Sequence, residues 1–552
     1  MKILAFLFKY SWRLVTVAAL AGLAGGFASV GLVAAITSTL SHGGFTSSRT
    51  VWYYVGLAAV LLIMRVVSSL LLSYLAQNAT LELRMELSRQ ILASPLRRLE
   101  EVGAHRLLAT LTGDVNAISG GILVIQTLIL QGAMLVGCLL YLIWLSWTVF
   151  LGVFIFMIGA ITIYQLSIKR AINYLRVARG HQDELFKHFR AMTEGTQELK
   201  LHRGRRDSFL ADLLLKTAAS LRRNNLLGNG IFILSGSWAQ VLVFALIGLL
   251  LFALPAIQQV DSRVLIGFAF TISYVIAPIE SIMTVLPGLG NANVSLQQIE
   301  SLGLKLVSTV DRESEPRALD PLWTSLELDD VRHTYHHEQE DRLFVVGPLT
   351  LTFEPGSLIF LTGGNGSGKT TLVKLLTGLY APESGEIRLD GKTITDENRD
   401  AYRQYFSAVF SNFYLFESLL GIESPNLDDR ARDYLHKLQL EHKVQITAGE
   451  ISTIDLSQGQ RKRLALLTAY LEDRPIYVFD EWAADQDPLF KDIFYLHLLP
   501  ELKSKGKTVF VISHDDRYYH LADRIIKLED GQLEYDHNLA PAPQDSLEVL
   551  VN

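Results

Sequence analysis

The chain has 552 residues, of which 49% are hydrophobic and only 19% charged, against about 25% charged in an ordinary soluble protein. With a mean hydropathy of +0.26, part of it must lie in lipid. The balance of 50 basic to 56 acidic residues speaks against a nucleic-acid-binding protein, and a single cysteine, Cys138, excludes an internal disulfide framework or a multi-cysteine metal site.

Six apolar stretches are long enough to cross a hydrocarbon layer of ~30 Å at ~1.5 Å per helical residue. They run over Leu14–Leu40, Trp52–Leu75, Gly121–Trp144, Trp147–Ile168, Ile231–Leu254 and Val264–Leu286. The first is too long for the core of a secretory signal, and five more follow it. Basic residues gather in two of the connections, with Arg84, Arg89, Arg97, Arg98 and Arg106 in one and Lys169, Arg170, Arg203, Arg205, Arg206, Arg222 and Arg223 in the other. The excess of positive charge assigns these two to the cytoplasm, and with them both termini. Trp52, Tyr53, Trp144 and Trp147 are placed as interfacial anchors. Helical spacing of Leu83, Leu87 and Ile91, then of Leu185, Phe189 and Met192, extends the membrane helices into water.

Arg65 falls near the middle of the second span, where a charge costs roughly 2.5–3.5 kcal/mol on insertion scales. Glu280, in the sixth span, is the obvious acidic candidate to meet it. Either the two form a structural pair, or Arg65 snorkels to water, or it faces an anionic or carbonyl-rich cargo.

The texture changes near Arg312, so the division expected is a membrane domain over 1–312, a polar linker over 313–324 and a soluble domain over 325–552. There, Leu358-Ile359-Phe360-Leu361 leads into Gly363-Gly364-Asn365-Gly366-Ser367-Gly368-Lys369-Thr370, and Thr371-Leu372-Val373 continues as a helix. Strand, glycine loop and helix in this order aim backbone N–H groups at phosphates. Lys369 is expected to reach the β- and γ-phosphates of ATP and the Thr370 hydroxyl to bind Mg2+. Downstream, Ile476-Tyr477-Val478-Phe479 ends in Asp480-Glu481, a buried strand delivering two carboxylates. Asp480 suits the Mg2+ shell and Glu481 a general base acting on water.

With these motifs in place the second half resembles the nucleotide-binding domain of an ATP-binding-cassette (ABC) transporter. Leu456-Ser457-Gln458-Gly459-Gln460-Arg461 is similar to the family signature, with Gln458 where glycine is commoner. The resemblance implies that Ser457, Gln458, Gly459 and Gln460 face the ATP held by a partner domain. It also implies that His514 is the switch histidine, that Asp487 belongs to the loop crossing the dimer interface, and that Tyr335 stacks on adenine unless it is a plain surface tyrosine. Ser411 stands where the family usually has a glutamine near Mg2+, acting through a water or marking a weakened contact. The interval from Phe416 to Leu456 is short for the family's helical subdomain.

Taken whole, the fold expected is a membrane α-helical domain with six transmembrane helices, followed by an α/β P-loop nucleotide-binding domain. The stretches from Leu99 to Leu108 and from Glu194 to Arg206 resemble the two cytoplasmic loops of ABC exporters. Ser411, the short subdomain and Asp480-Glu481-Trp482-Ala483-Ala484-Asp485-Gln486-Asp487-Pro488 are similar to the cyclic-peptide exporter subfamily, whose members include exporters of a lasso-peptide microcin and of pyoverdine-type siderophore precursors. The resemblance implies an ATP-hydrolysing homodimer of the bacterial inner membrane with a peptide-like cargo, a heterodimer being the open alternative. A lipid flippase or multidrug exporter is the rival with the same cassette, and an ATP-regulated channel the rival of another class.

Overall fold

The computed structural model describes residues 2–41, 48–257, 260–301, 322–337, 342–422 and 426–539, giving the backbone alone for 2–11, 335–337 and 342–343. The linker expected over 313–324 therefore lies mostly outside the described residues. The chain divides into two compact units, one of residues 1–92 and 103–307, the other of 93–102 and 308–552.

The first unit is helical. Its long helices are α1 (Lys2–Ser41), α2 (Ser48–Ala93), α4 (Ala104–Leu145), α5 (Trp147–Glu194), α7 (Arg203–Ile257) and α8 (Ser262–Ser301), and each contains a stretch apolar and long enough to cross a bilayer. A short helix, α3 (Leu96–Val102), follows α2, and another, α6 (Thr196–Leu201), follows α5. Trp52, Tyr53, Trp144 and Trp147 are all exposed at helix ends, which suits interfacial rings.

The helices group by packing. Val15 and Ala18 of α1, Leu72, Leu75, Ala76 and Ala79 of α2, Ile122 and Ile125 of α4 and Ala292 of α8 form one buried cluster. Small residues let α1 and α4 approach closely: a Cβ on Gly26 would stand 2.6 Å from the Ala133 side chain. Helix α5 packs along α7, and their membrane parts join α4 and α8 through Leu142, Val149, Phe150, Leu246, Leu250 and Phe268. Beyond the membrane stretch, Phe186, Phe189 and Met192 of α5 and Leu210, Leu213 and Leu215 of α7 are exposed.

The second unit is built on a six-stranded sheet in the order β12-β11-β3-β10-β9-β6. Its strands are β3 (Leu358–Thr362), β6 (Phe406–Val409), β9 (Ile476–Asp480), β10 (Thr508–Ile512), β11 (Arg524–Glu529) and β12 (Gln532–Asn538), all pairing in parallel except β11 with β12. Alternate residues face opposite cores. Leu358 and Phe360 of β3, Tyr477 and Phe479 of β9, and Val509 and Val511 of β10 enter one cluster. Ile359 and Leu361, Ile476 and Val478, and Phe510 and Ile512 enter the other. Burial on both faces is why these strands read as unbroken apolar runs, each large side chain contributing about 1.5–3 kcal/mol.

A second, antiparallel sheet is ordered β2-β1-β4-β5 and comprises β1 (Leu326–His337), β2 (Arg342–Phe353), β4 (Ser384–Leu389) and β5 (Lys392–Thr393). Between β6 and Leu456 the described residues hold one helix of eleven residues, Leu427–Lys437, and a two-stranded hairpin of β7 (Ile446–Thr447) with β8 (Glu450–Ile451). This is the structural counterpart of the short interval seen in the sequence.

Candidate functional site

Strands β3, β10, β9 and β6 are consecutive neighbours in the sheet, so the loops leaving their carboxyl ends meet on one edge, where parallel sheets bind ligands. From β3 the chain enters the glycine loop and then helix α9 (Lys369–Leu376). Gly363 has a φ of +137°, and a Cβ there would stand 2.1 Å from the Leu528 carbonyl oxygen, so no other residue fits. Lys369 is buried and donates from Nζ to the Gly363 and Gly364 carbonyls at 3.0 and 2.8 Å. Burial lowers its pKa, opposed by the nearby Glu481 and Asp480 carboxylates. Asn365 and Gly366 are exposed at the loop crest and Thr371 is half-buried on the helix. The Ser367 hydroxyl is buried with no hydrogen-bond partner among the described residues. An orphaned hydroxyl in a loop of backbone donors at a helix N-terminus fits a phosphate.

From β9 comes Asp480, 1% exposed. Burial and the adjacent Glu481 raise its pKa, against hydrogen bonds from Ser411 and Thr370. Its carboxylate accepts from Thr370 Oγ1 at 3.3–3.4 Å and from Ser411 Oγ at 3.3 Å. A buried carboxylate between two hydroxyls is a hard oxygen set of the kind Mg2+ takes in nucleotide sites, with phosphate oxygens completing the shell. Thr370, Asp480 and Ser411 could therefore hold that ion.

Glu481 follows with a left-handed backbone, φ +49°. Its carboxylate lies 3.3 Å from Nε2 of His514, which leaves the end of β10. A carboxylate oriented by an imidazole beside the metal set can accept a proton from water.

The signature residues form another helix N-terminus. Ser457 caps helix Gln458–Glu472: its hydroxyl accepts from the Gln460 N–H, and the Gln460 side chain accepts from the Ser457 N–H. Asp487 caps the helix that begins at Pro488 by accepting from the Phe490 N–H at 2.9 Å, and pairs with Arg463 at 2.5 Å. Those two donors hold its carboxyl below the usual range. Gln486 donates to the Gly459 carbonyl at 3.0 Å and Gln458 to Asp485 at 3.2 Å, so the signature and the 485–487 loop are stitched together. Sequence reasoning did not single out Lys462 and Arg463, which pair with Asp485 and Asp487, or Gln486 as links between the signature helix and that loop. The legible signal was a Lys-Arg pair running into a fully apolar helical turn, Leu464 to Leu467, buried all round.

Residues 93–102 belong to this second unit. Leu96 of α3 packs on the core beneath β1 and β2. Glu100 pairs with Lys374 of α9 at 2.8 Å and accepts from the Tyr380 hydroxyl, and Arg97 pairs with Glu383 at 2.6 Å. Under them lies His333, 1% exposed and stacked on Tyr380 at 4.8 Å. The short helix after the second span thus grips the helix that carries Lys369 and Thr370.

Arg65 and Glu280 are both exposed, and no ion pair joins them among the described residues. Tyr335 is on β1, paired in register with Phe344, and its side chain lies outside the described residues.

Two family models match the chain, "ABC transporter transmembrane region" over residues 12–279 and "ABC transporter" over residues 346–484. The chain is 36% identical over 531 residues to the ATP-binding protein SyrD of Pseudomonas syringae pv. syringae, covering 94% of this chain and 93% of that protein. It is 27% identical to the ATP-dependent lipid A-core flippase of Dechloromonas aromatica (strain RCB), over 90% and 87% of the two chains. To the lipid A-core flippase of Paraburkholderia xenovorans (strain LB400) it is 25% identical, over 89% and 84%. Six helical spans followed by a nucleotide-binding domain define an ATP-driven ABC exporter half-transporter. The chain belongs to the ABC transporter family, as a multi-pass membrane protein that hydrolyses ATP.

Proposed function

We propose that this chain works as a homodimer in the bacterial inner membrane, with both termini in the cytoplasm, and exports a peptide-like cargo at the expense of ATP. The membrane domain ends near residue 312 and the cassette begins near 325. The observation that carries the reading is the Glu481–His514 contact of 3.3 Å beside Asp480 and Thr370, a hydrolytic site rather than a binding site alone. Lys369 binds the terminal phosphates. Glu481 takes the proton of the attacking water, and His514 holds its carboxylate. Thr370, Asp480 and Ser411 would hold Mg2+, which would supply neutralisation of the phosphate charge.

The capped signature helix supports a second copy, whose ATP would sit against Ser457 to Gln460 while this chain's ATP meets the copy's signature. Exposed Phe186, Phe189, Met192, Leu210, Leu213 and Leu215, beyond the membrane stretch, also support a second copy covering them. Peptide-like cargo is supported by Ser411, the single-helix insert before the signature and the sequence from Asp480 to Pro488. The flippase relatives favour a lipid as the second reading. Reconstituted protein screened with cyclic peptides, lasso peptides, peptidic siderophore precursors and lipids separates the two. Peptides are expected to stimulate ATPase activity severalfold; stimulation by lipids alone would replace the first reading with the second.

A further inference from the structure

We infer that Lys462 is a positioning residue for Glu481, and that it ties the setting of this carboxylate to the signature helix. The inference rests on Glu481 acting as the general base. Lys462 is 3% exposed, at the start of the second turn of the signature helix. A lysine charge removed from water needs full pairing, and this one finds it in two places: the Asp485 carboxylate at 2.7 Å and the backbone carbonyl of Glu481 at 2.9 Å.

The same residue holds the chain from a second point. Its own carbonyl accepts from the Trp482 indole N–H at 2.8 Å, and Trp482 is buried and stacked on Phe494 at 4.4 Å. Lys462 therefore clasps both sides of the Glu481–Trp482 peptide.

What it clasps is a residue in a left-handed conformation, φ +49°, that a side chain larger than glycine adopts only when its surroundings enforce it. The direction of the Glu481 carboxylate toward His514 follows from that backbone. Without the ammonium donor the Glu481 carbonyl keeps only the longer bond from the Ala484 N–H at 3.3 Å, so the peptide plane is held less firmly, and the carboxylate with it, while the phosphate loop on β3 is untouched.

Asp485 completes a path outward. Its Oδ2 accepts both from Lys462 and from Nε2 of Gln458, the first residue of the signature helix. Gln458, Asp485, Lys462 and Glu481 are thus joined by consecutive polar contacts. This gives the unusual glutamine of the signature a task within its own chain.

The test uses the full-length protein in lipid nanodiscs, with kcat and KM for ATP and the melting temperature measured together. Lys462→Met keeps length and removes the donor; it is expected to lower kcat about tenfold with KM changed less than twofold. Lys462→Arg, which retains a donor, should recover at least a third of kcat. The double variant Lys462→Met/Asp485→Asn removes the carboxylate left without its lysine, so it should regain melting temperature while kcat stays low. Recovery of kcat with stability in the double variant, or a kcat within twofold of wild type in the single one, overturns the inference. Should the single variant fail to fold, kcat of the double variant decides in the same way: low supports the positioning role, near wild type overturns it. Glu481→Gln run alongside separates the two levels: if it retains near-wild-type turnover the general-base reading fails, and if only the Lys462 variants are silent the positioning role fails alone.

Discussion

Replacing Glu481 by glutamine changes one oxygen to an amide at constant shape, so the left-handed turn, the Lys462 contact and the Asp480–Thr370–Ser411 set should all persist. The one property removed is the ability to accept a proton. General-base catalysis contributes typically 10²–10⁴-fold, a barrier increase of roughly 3–5 kcal/mol. His514 acts on the same carboxylate from 3.3 Å, and both side chains are more than a third exposed. Its bond to the charged group is therefore worth the lower end of the usual ~1.5–3 kcal/mol, and His514→Ala should cost about tenfold. Because the two residues act as a unit, the double variant should be no more than about threefold slower than Glu481→Gln. Phosphate release at saturating ATP, with nucleotide binding followed by a fluorescent ATP analogue, reads both effects. Turnover of Glu481→Gln within threefold of wild type, or losses that simply multiply, would refute the assignment.

Ser411→Ala removes one hydroxyl donor to Asp480 at the long distance of 3.3 Å, worth about 1 kcal/mol; the Mg2+ concentration at half-maximal ATPase should rise about fivefold, and an unchanged value would remove Ser411 from the metal set. His333 donates from Nδ1 to the Ala381 carbonyl at 3.2 Å, while its Nε2 has no partner among the described residues. Burial lowers its pKa below 6.5, helped by Arg97 and opposed by Glu383. The stabilisation is complete above pH 6.5 and is lost as pH falls from there toward the lowered value, at no more than ~1.4 kcal/mol per pH unit. Denaturation midpoints between pH 7.5 and 5.5 should therefore fall more for wild type than for His333→Phe, and equal slopes would contradict this. Arg65→Gln should leave melting temperature and basal ATPase unchanged while weakening stimulation by anionic peptides more than by neutral ones. Mutual rescue between Arg65→Gln and Glu280→Gln would instead point to a pair that the single chain does not form.

The parts of this protein legible from its sequence are those that local chemistry dictates. The phosphate loop was readable because Gly363 admits no side chain and because the apolar run of β3 precedes it and Leu372, Val373, Leu375 and Leu376 of α9 follow it. The six spans were readable because lipid demands length and hydrophobicity over the whole stretch. What escaped depends on residues brought together from distant positions. Glu100 meets Lys374 across 274 residues and Tyr380 across 280, and neither pairing leaves a periodic trace. Lys462 carries no motif of its own, and its role follows from a positive φ at Glu481 that sequence does not announce. The sequence left open whether Arg65 pairs with Glu280, snorkels or meets cargo for the converse reason: matching opposite charges says nothing about which helix faces meet.

The claim that ATP drives export is tested most directly by transport itself. Inverted membrane vesicles containing this protein, given a labelled cyclic or lasso peptide that stimulates its ATPase, should accumulate that peptide only with ATP and Mg2+. The Glu481→Gln protein at equal abundance should accumulate none. Peptide-stimulated ATP hydrolysis with no vesicular accumulation, or equal entry with and without ATP, would contradict the account and make the chain a regulator or a channel.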